Sequence, residues 1–407
     1  MGKNCIVAQS GGPTAAINAS LAGVISAVKA SGNYDKLYGA IHGIQGVLRK
    51  NFMELSELDE DFIERLVITP AMYLGSCRFK LPDFDEDEQT YRDIFGIFEE
   101  YNIGAFFYIG GNDSMDTVAK LSAYAKKINS DIRIAGIPKT IDNDLLVTDH
   151  TPGFGSAAKY IASSIREIAY DTYIYDVKSV TIVEIMGRDA GWLTASAVLS
   201  RNDFSAAPHL IYLPEVSFDK ERFIKDLKEK FKTHKNIIVA VSEGIHDKDG
   251  NYIAASSSKE DKFGHAQLSG AGKVLEYLVK EKLGVKVRSI EINVLQRAAG
   301  HMASKTDLEE SLALGSAAVD FSETGESGFM TVIKRTGNAP YSYRIELSPV
   351  ADIANKAKGV PVSWINKDGN DVTDDLVEYV RPLVEGETDV FYKDGIVDYV
   401  PVPHLVK

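Results

Sequence analysis

Short apolar runs alternate along this chain with longer stretches in which apolar positions recur at helical spacing. Cys5–Gln9 reads as a strand and Thr14–Ala30 as a helix, joined through Ser10-Gly11-Gly12-Pro13. Ala105–Ile109 is a second strand, followed by Gly110-Gly111-Asn112-Asp113-Ser114 and a helix over Met115–Lys127. Ile132–Ile137 reads as a strand ending at Pro138, and Val180–Ile185 as one ending before Met186-Gly187-Arg188. Ile237–Ser242 ends at Glu243-Gly244. Uninterrupted apolar strands separated by helices predict a mostly parallel sheet covered on both faces. Ligands of such sheets sit beyond the carboxyl ends of the strands, where these polar and glycine-rich segments fall. From about residue 331 the pattern changes to Asp/Asn/Gly turns and short alternating runs such as Tyr343–Leu347, which predicts a smaller α+β appendage.

Composition narrows the function. The 407 residues suit a multi-domain α/β protein, with 44% hydrophobic and 25% charged residues as in ordinary globular chains. A net charge of −13 argues against a nucleic-acid partner, whose affinity would rest on phosphate neutralisation. Phosphate binding would have to rely on a few cations gathered locally. The acidic stretch Asp83–Glu88 and the basic stretch Lys225–Lys235 read as solvated faces. Two cysteines without a CxxC exclude a zinc ribbon or disulfide scaffold and fit a reducing compartment. No signal-peptide core or long apolar run is evident, so a cytoplasmic protein with no membrane partner is expected.

GxxxxGK[ST], HExxH and GxSxG are absent. Gly153-Phe154-Gly155-Ser156-Ala157-Ala158 matches GxGxxA, but its lead-in Thr148–Pro152 is polar, so it reads as a helix start beside the site and not as a dinucleotide fingerprint. Ser10–Thr14 and Gly110–Ser114 are glycine-led turns opening helices, where free N–H groups and the helix dipole favour an anion. Both also read as plain βα turns with polar caps. Together they can converge on a polyphosphate and a divalent cation, with Asn112 and Asp113 supplying oxygens. Pro138–Asp144 (PKTIDND) places one cation and two carboxylates past a strand end. One carboxylate can take a proton from an attacking hydroxyl while Lys139 stabilises transferring phosphate. Arg188, Arg288 and Arg297 suit bidentate phosphate recognition.

SGGPTAAIN, LGSCRF, GGNDS, PKTIDND, DHTPGFGSAAKY, MGRDAGWLT and LQR, in this order from about residue 4 to about residue 320, resemble the phosphofructokinases. The resemblance implies two Rossmann-like α/β domains with the active site between them. Residues 1–155 with about 296–330 would bind the donor, 156–295 would bind the sugar phosphate, and 331–407 would form a C-terminal extension packing on the smaller domain. It implies magnesium-dependent phosphoryl transfer to the 1-hydroxyl of fructose 6-phosphate, giving fructose 1,6-bisphosphate, by a homodimer or homotetramer. Asp142 would be the general base. Thr140 and Asp144 would position sugar and metal, with Asn112 a second metal candidate. Met186, Gly187, Arg188 and Glu243 would bind the sugar phosphate, and Arg288, Gln296 and Arg297 its phosphate end, one arginine being lent by a neighbouring subunit. Gly12, Arg78, Gly111 and Ser114 would face the donor.

Similarity to the diphosphate-dependent members rests on Asp113 and Lys139, where ATP-using members carry, or usually carry, glycine. A carboxylate at Asp113 would crowd and repel a nucleotide α-phosphate, and Lys139 would reach the compact diphosphate. An ATP-dependent phosphofructokinase is the nearest alternative and a non-catalytic regulatory homologue a remote one. Ala22 and Ser26 replace effector-binding arginines of allosteric relatives. Asn112, Val294 and Ser179 replace a metal-binding aspartate, a sugar-binding histidine and a phosphate-binding arginine of various relatives.

Overall fold

The structure is a computed structural model that describes residues 2–254 and 270–403. Two sheets are built from β1 (Lys3–Gln9), β2 (Tyr34–Ala40), β3 (Phe52–Glu54), β4 (Ile103–Gly110), β5 (Arg133–Pro138), β6 (Ser179–Ile185), β7 (Leu210–Tyr212), β8 (Asn236–Ser242), β9 (Lys286–Glu291), β10 (Phe329–Asn338) and β11 (Tyr341–Pro349). The chain divides into two compact units: Met1–Ser156 with Arg297–Ala357 and Glu385–Lys407, and Ala157–Gln296 with Lys358–Val384. Among the described residues no helix is long and apolar enough to cross a membrane.

In the first unit the strand order is β11-β10-β5-β4-β1-β2-β3, parallel except for the β10/β11 and β2/β3 pairs. The expected continuous apolar strands follow from burial on both faces. Cys5 and Val7 point into one core with Ile17, Leu21 and Leu314, whereas Ile6 and Ala8 point into the other with Tyr91, Ile94 and Val118. Alternation of side chains across β4 repeats this, Phe107 serving the first core and Phe106 the second. Truncating either phenylalanine to alanine would cost about 3–5 kcal/mol. The helices Ile17–Ser31 and Lys305–Glu323 cross at glycines, since a Cβ on Gly23 would lie 2.0 Å from the Leu312 carbonyl oxygen. Because β2 and β4 flank β1, successive strands depart on opposite sides of it. That switch point opens a crevice between the loops after β1 and β4.

The second unit carries an all-parallel sheet, β7-β8-β6-β9. Here β6 and β8 lie side by side, so the segments after Ile185 and Ser242 emerge together.

The expected extension 331–407 is not one body. Its first boundary falls inside β10, whose Phe329 and Met330 pair with Ala135 and Gly136 of β5. Residues through Ala357 therefore belong to the first unit, Lys358–Val384 to the second, and the remainder to the first again. The physical reason is the run Phe329–Ile333, fully buried like the other central strands. The alternation over Tyr343–Leu347 is that of β11, the edge strand.

Candidate active site

In the first unit three loops meet at the carboxyl ends of β1, β4 and β5. After β1, Gln9 is fixed by Asn18 and the Leu74 N–H, and Gly11 follows in the left-handed region at φ 83°. The helix begins at Ile17, later than expected, because Thr14 Oγ1 accepts from the Ala16 N–H. Pro13 thus lies in the loop. Ser76 Oγ donates to the Gly11 carbonyl at 2.7 Å, which fixes the loop bearing exposed Arg78 beside the glycines.

After β4 the helix starts earlier than expected, spanning Asn112–Lys127 with Gly111 at its N-cap. Asn112, Asp113 and Ser114 therefore occupy its first turn and are not a preceding loop. Asp113 is exposed at the positive end of the helix dipole, a favourable place for an acid. The Ser114 hydroxyl is buried against Gly110 and has no hydrogen-bond partner among the described residues.

Lys139 follows β5 and is 2% exposed. Its N–H donates to the Gly110 carbonyl at 3.0 Å and its Nζ to the Gly12 carbonyl at 2.6 Å. A single residue thereby ties the two glycine turns together, its backbone N–H at the second and its ammonium at the first. Burial pulls its pKa down to about 8, with Asp142 and Asp144 acting upward and Arg297 downward. Arg297 Nη1 lies 3.2 Å from where a Gly12 Cβ would be. It sits with Gly12 and Lys139 in the first unit.

The Thr140–Asp144 segment is held from behind. Thr140 Oγ1 accepts from the Asp142 N–H at 3.1 Å and contacts Asp142 Oδ2 at 3.3 Å. Asn143, buried at φ 53°, accepts from the Thr151 N–H, and Thr151 Oγ1 donates to the Thr140 carbonyl. Asp142 and Asp144 remain partly exposed. The GxGxxA segment is a helix start, with Phe154–Tyr173 helical and Gly153 bridging Thr140.

Two supports were not legible beforehand. Buried Asp307 accepts from the Gly153 and Ser156 N–H groups, both at 2.9 Å. Buried His150 lies between Asp149 at 2.8 Å and Glu310 at 2.5 Å. Their signal in the sequence is a pair of acids, Asp307 and Glu310, three residues apart in a helix that also carries Glu309, which by itself reads as an exposed face.

In the second unit Met186-Gly187-Arg188 and Glu243 converge. Gly187, at φ 136°, donates to Glu243 Oε1 at 3.2 Å, and its carbonyl accepts from Ser242 Oγ. A Cβ on Gly244 would lie 1.8 Å from the Arg188 carbonyl oxygen. The buried Arg188 Nε has no partner among the described residues, leaving a donor for an anionic ligand. Glu215, also unforeseen, accepts from Gly191 and Val360 N–H groups, both at 2.8 Å, and burial raises its pKa. Gln296 Nε2 donates to the Asn293 carbonyl.

Arg288 does not join this cluster. It pairs with Thr181 near the opposite end of β6, about 17 Å along the strand from Met186 at 3.3 Å per residue. Its guanidinium meets Asp171 at 2.8 Å and Thr172 at 3.3 Å. β9 is the edge strand of that sheet, and Arg288, partly exposed, lines the same recess as exposed Tyr175 and Val177.

A direct magnesium ligand at Asn112 does not fit. Its Nδ2 donates to the Lys356 carbonyl and its Oδ1 accepts from the Asn355 N–H. Among the described residues no three His, Cys, Asp or Glu side chains form a metal-binding group. Asp144 with substrate phosphates and water does fit, because magnesium commonly takes one or two carboxylates and keeps several waters.

A fold and site of this kind define a sugar-phosphate kinase type of enzyme, and residues 4–322 match the Phosphofructokinase family model. The chain belongs to the phosphofructokinase family. It is 40% identical over 401 residues to the pyrophosphate–fructose 6-phosphate 1-phosphotransferase of Methylococcus capsulatus, covering 98% of this chain and 95% of that one. The enzyme of the same name from Xanthomonas campestris is 41% identical over 405 residues, covering 99% and 96%. The crystal structure of pyrophosphate-dependent phosphofructokinase from Nitrosospira multiformis superposes with a TM-score of 0.89 at 38% identity, covering 99% and 97%.

Proposed function

We propose that this chain reversibly transfers a phosphoryl group from diphosphate to the 1-hydroxyl of fructose 6-phosphate, giving fructose 1,6-bisphosphate and phosphate. The observation that carries the reading is Lys139, whose buried ammonium meets the first glycine turn at Gly12 while its backbone N–H meets the second at Gly110, with exposed Asp113 in the helical turn that follows. The full-length relatives that bear this activity in their names support it.

The donor's phosphates lie on the N–H groups of the Gly11–Gly12 turn and of the first turn after Gly111, with Ser114 Oγ, Arg78 and Lys139 around them. Asp142 takes the proton of the sugar hydroxyl as the new O–P bond forms and the P–O bond of diphosphate breaks. Lys139 and Arg297 neutralise charge on the transferring group, which is where electrostatic preorganisation contributes most. Thr140 and the Asn143–Thr151 contact keep Asp142 from swinging away. Magnesium, held by Asp144 together with the phosphates, supplies further charge neutralisation when bound. In the second unit Met186, Gly187, Arg188 and Glu243 receive the sugar phosphate, aided by Gln296. Arg288, partly exposed beside the surface residues Tyr175 and Val177, serves the sugar phosphate of a neighbouring copy in a homodimer or homotetramer in the cytoplasm. Fructose 1,6-bisphosphate must form when the chain is given fructose 6-phosphate, diphosphate and magnesium, and phosphate must drive the reverse. No product in either direction would end this reading.

A further inference from the structure

Asn112 stands in the first turn of the helix that faces the donor, yet its side chain holds a peptide of the same unit. Its Nδ2 donates to the Lys356 carbonyl at 2.6 Å while its Oδ1 accepts from the Asn355 N–H at 2.7 Å. Only a side-chain amide offers one donor and one acceptor in this spacing; an aspartate would repel the carbonyl. Asn355 fastens the other side. It occupies the left-handed region at φ 60°, and its Nδ2 donates to Asp116 Oδ1 at 2.8 Å. Asp116 also pairs with Lys120 at 2.9 Å, and Lys120 reaches the Leu81 carbonyl at 2.9 Å. Ala357 adds a bridge to Leu145. Residues 355–357 are thus strapped across the first two turns of the Asn112–Lys127 helix.

The strap bears on the length of the donor. Asp113 is exposed, but the neighbouring same-face positions one turn later, Asp116 and Thr117, are 5% and 2% exposed. On this side the helix is therefore covered one turn past Asp113. If two phosphates sit on the glycine turns, a third running on past Asp113 toward the second helical turn would meet Asn355, Asp116 and Lys120. We propose that the strap is a length gate on the phosphoryl donor, restricting the site to diphosphate by occupying the place of any longer chain, separately from the charge of Asp113. This rests on the reading that the donor binds at the glycine turns.

The test compares diphosphate, tripolyphosphate and ATP as donors to fructose 6-phosphate in the wild type, Asn355→Gly and Asn355→Ala. Glycine keeps the backbone conformation and removes only the bond to Asp116, whereas alanine adds strain at positive φ. A lost bond of this kind shifts the open population by about tenfold, so tripolyphosphate use relative to diphosphate should rise about tenfold in Asn355→Gly. Hydrogen exchange in 350–357 should quicken, with diphosphate turnover unchanged. Asp113→Gly should improve ATP further, its gain multiplying with that of Asn355→Gly. An unchanged donor ratio despite faster exchange, exchange that does not quicken, or a wild type that uses tripolyphosphate as readily as diphosphate would each overturn the gate while leaving the proposed reaction standing. A wild type inactive with diphosphate would instead overturn the reaction itself.

Discussion

Replacing Lys139 with methionine should slow turnover and stabilise the fold at once. The ammonium is buried, and its pKa falls from 10.5 to about 8 because burial disfavours the charged form. At 1.36 kcal/mol per pH unit, that gap corresponds to about 3 kcal/mol held against folding near neutral pH. Methionine fills a similar volume without charge. The lost bond from Nζ to the Gly12 carbonyl returns about 1 kcal/mol of this, and the exposed loop lets water replace it. Lys139→Met should therefore be about 2 kcal/mol more stable, visible as a higher urea midpoint at an unchanged m-value. Turnover with diphosphate should fall about ten- to hundredfold, the worth of one charge-assisted contact to a transferring phosphate. Stability comes from denaturant titration and turnover from fructose 1,6-bisphosphate formation. A variant both slower and less stable would refute the reasoning, since the ammonium would then be holding the loops together. Undiminished turnover would remove Lys139 from the donor site.

Three other outcomes follow from the site. Asp142→Asn should lower turnover about 10²- to 10⁴-fold in both directions with little change in either KM; near-normal turnover would disqualify Asp142 as the base. Arg188→Gln should raise KM for fructose 6-phosphate about tenfold and leave that for diphosphate alone, and an effect confined to diphosphate would misplace it. Burial would lower the His150 pKa, but Glu310 and Asp149 overcome it and raise the value from 6.5 to about 9. That contribution to stability is complete below pH 6.5 and is lost as pH rises through about 9. Lys139 titrates with the opposite sign, gaining stability between about 8 and 10.5. Comparing His150→Gln with the wild type cancels the Lys139 part, and urea midpoints at pH 6.5 and 9 should show a steeper decline in the wild type; equal slopes would contradict the ion-paired histidine.

The central strands were readable because burial on both faces leaves an uninterrupted apolar run: Ala105–Ile109 lies inside β4 and Ile132–Ile137 overlaps β5. Their polar ends then marked Gly11–Gly12, Gly110–Gly111 and Lys139. Helix starts were less legible. Asn112, Asp113 and Ser114 are turn formers, yet behind Gly111 they serve as a first turn whose dipole suits an acid. Phe329–Ile333 was missed because its apolar run leads into a hairpin of turn residues, so its second half outweighed its first. Arg288 illustrates a different limit: only its register against Thr181 shows that it lies far from Met186 within its own sheet. No local spacing connects Asn112 with Asn355, which are 243 residues apart, or His150 with Glu310.

The central claim is the choice of donor, and competition between diphosphate and ATP for one preparation of the chain tests it most directly. With fructose 6-phosphate and magnesium held constant, kcat/KM for diphosphate should exceed that for ATP by at least about a hundredfold, a difference of about 3 kcal/mol. Asp113→Gly should narrow the ratio from the ATP side. A chain that prefers ATP would contradict the account, because Asp113 and Lys139 would then have no part in selecting the donor.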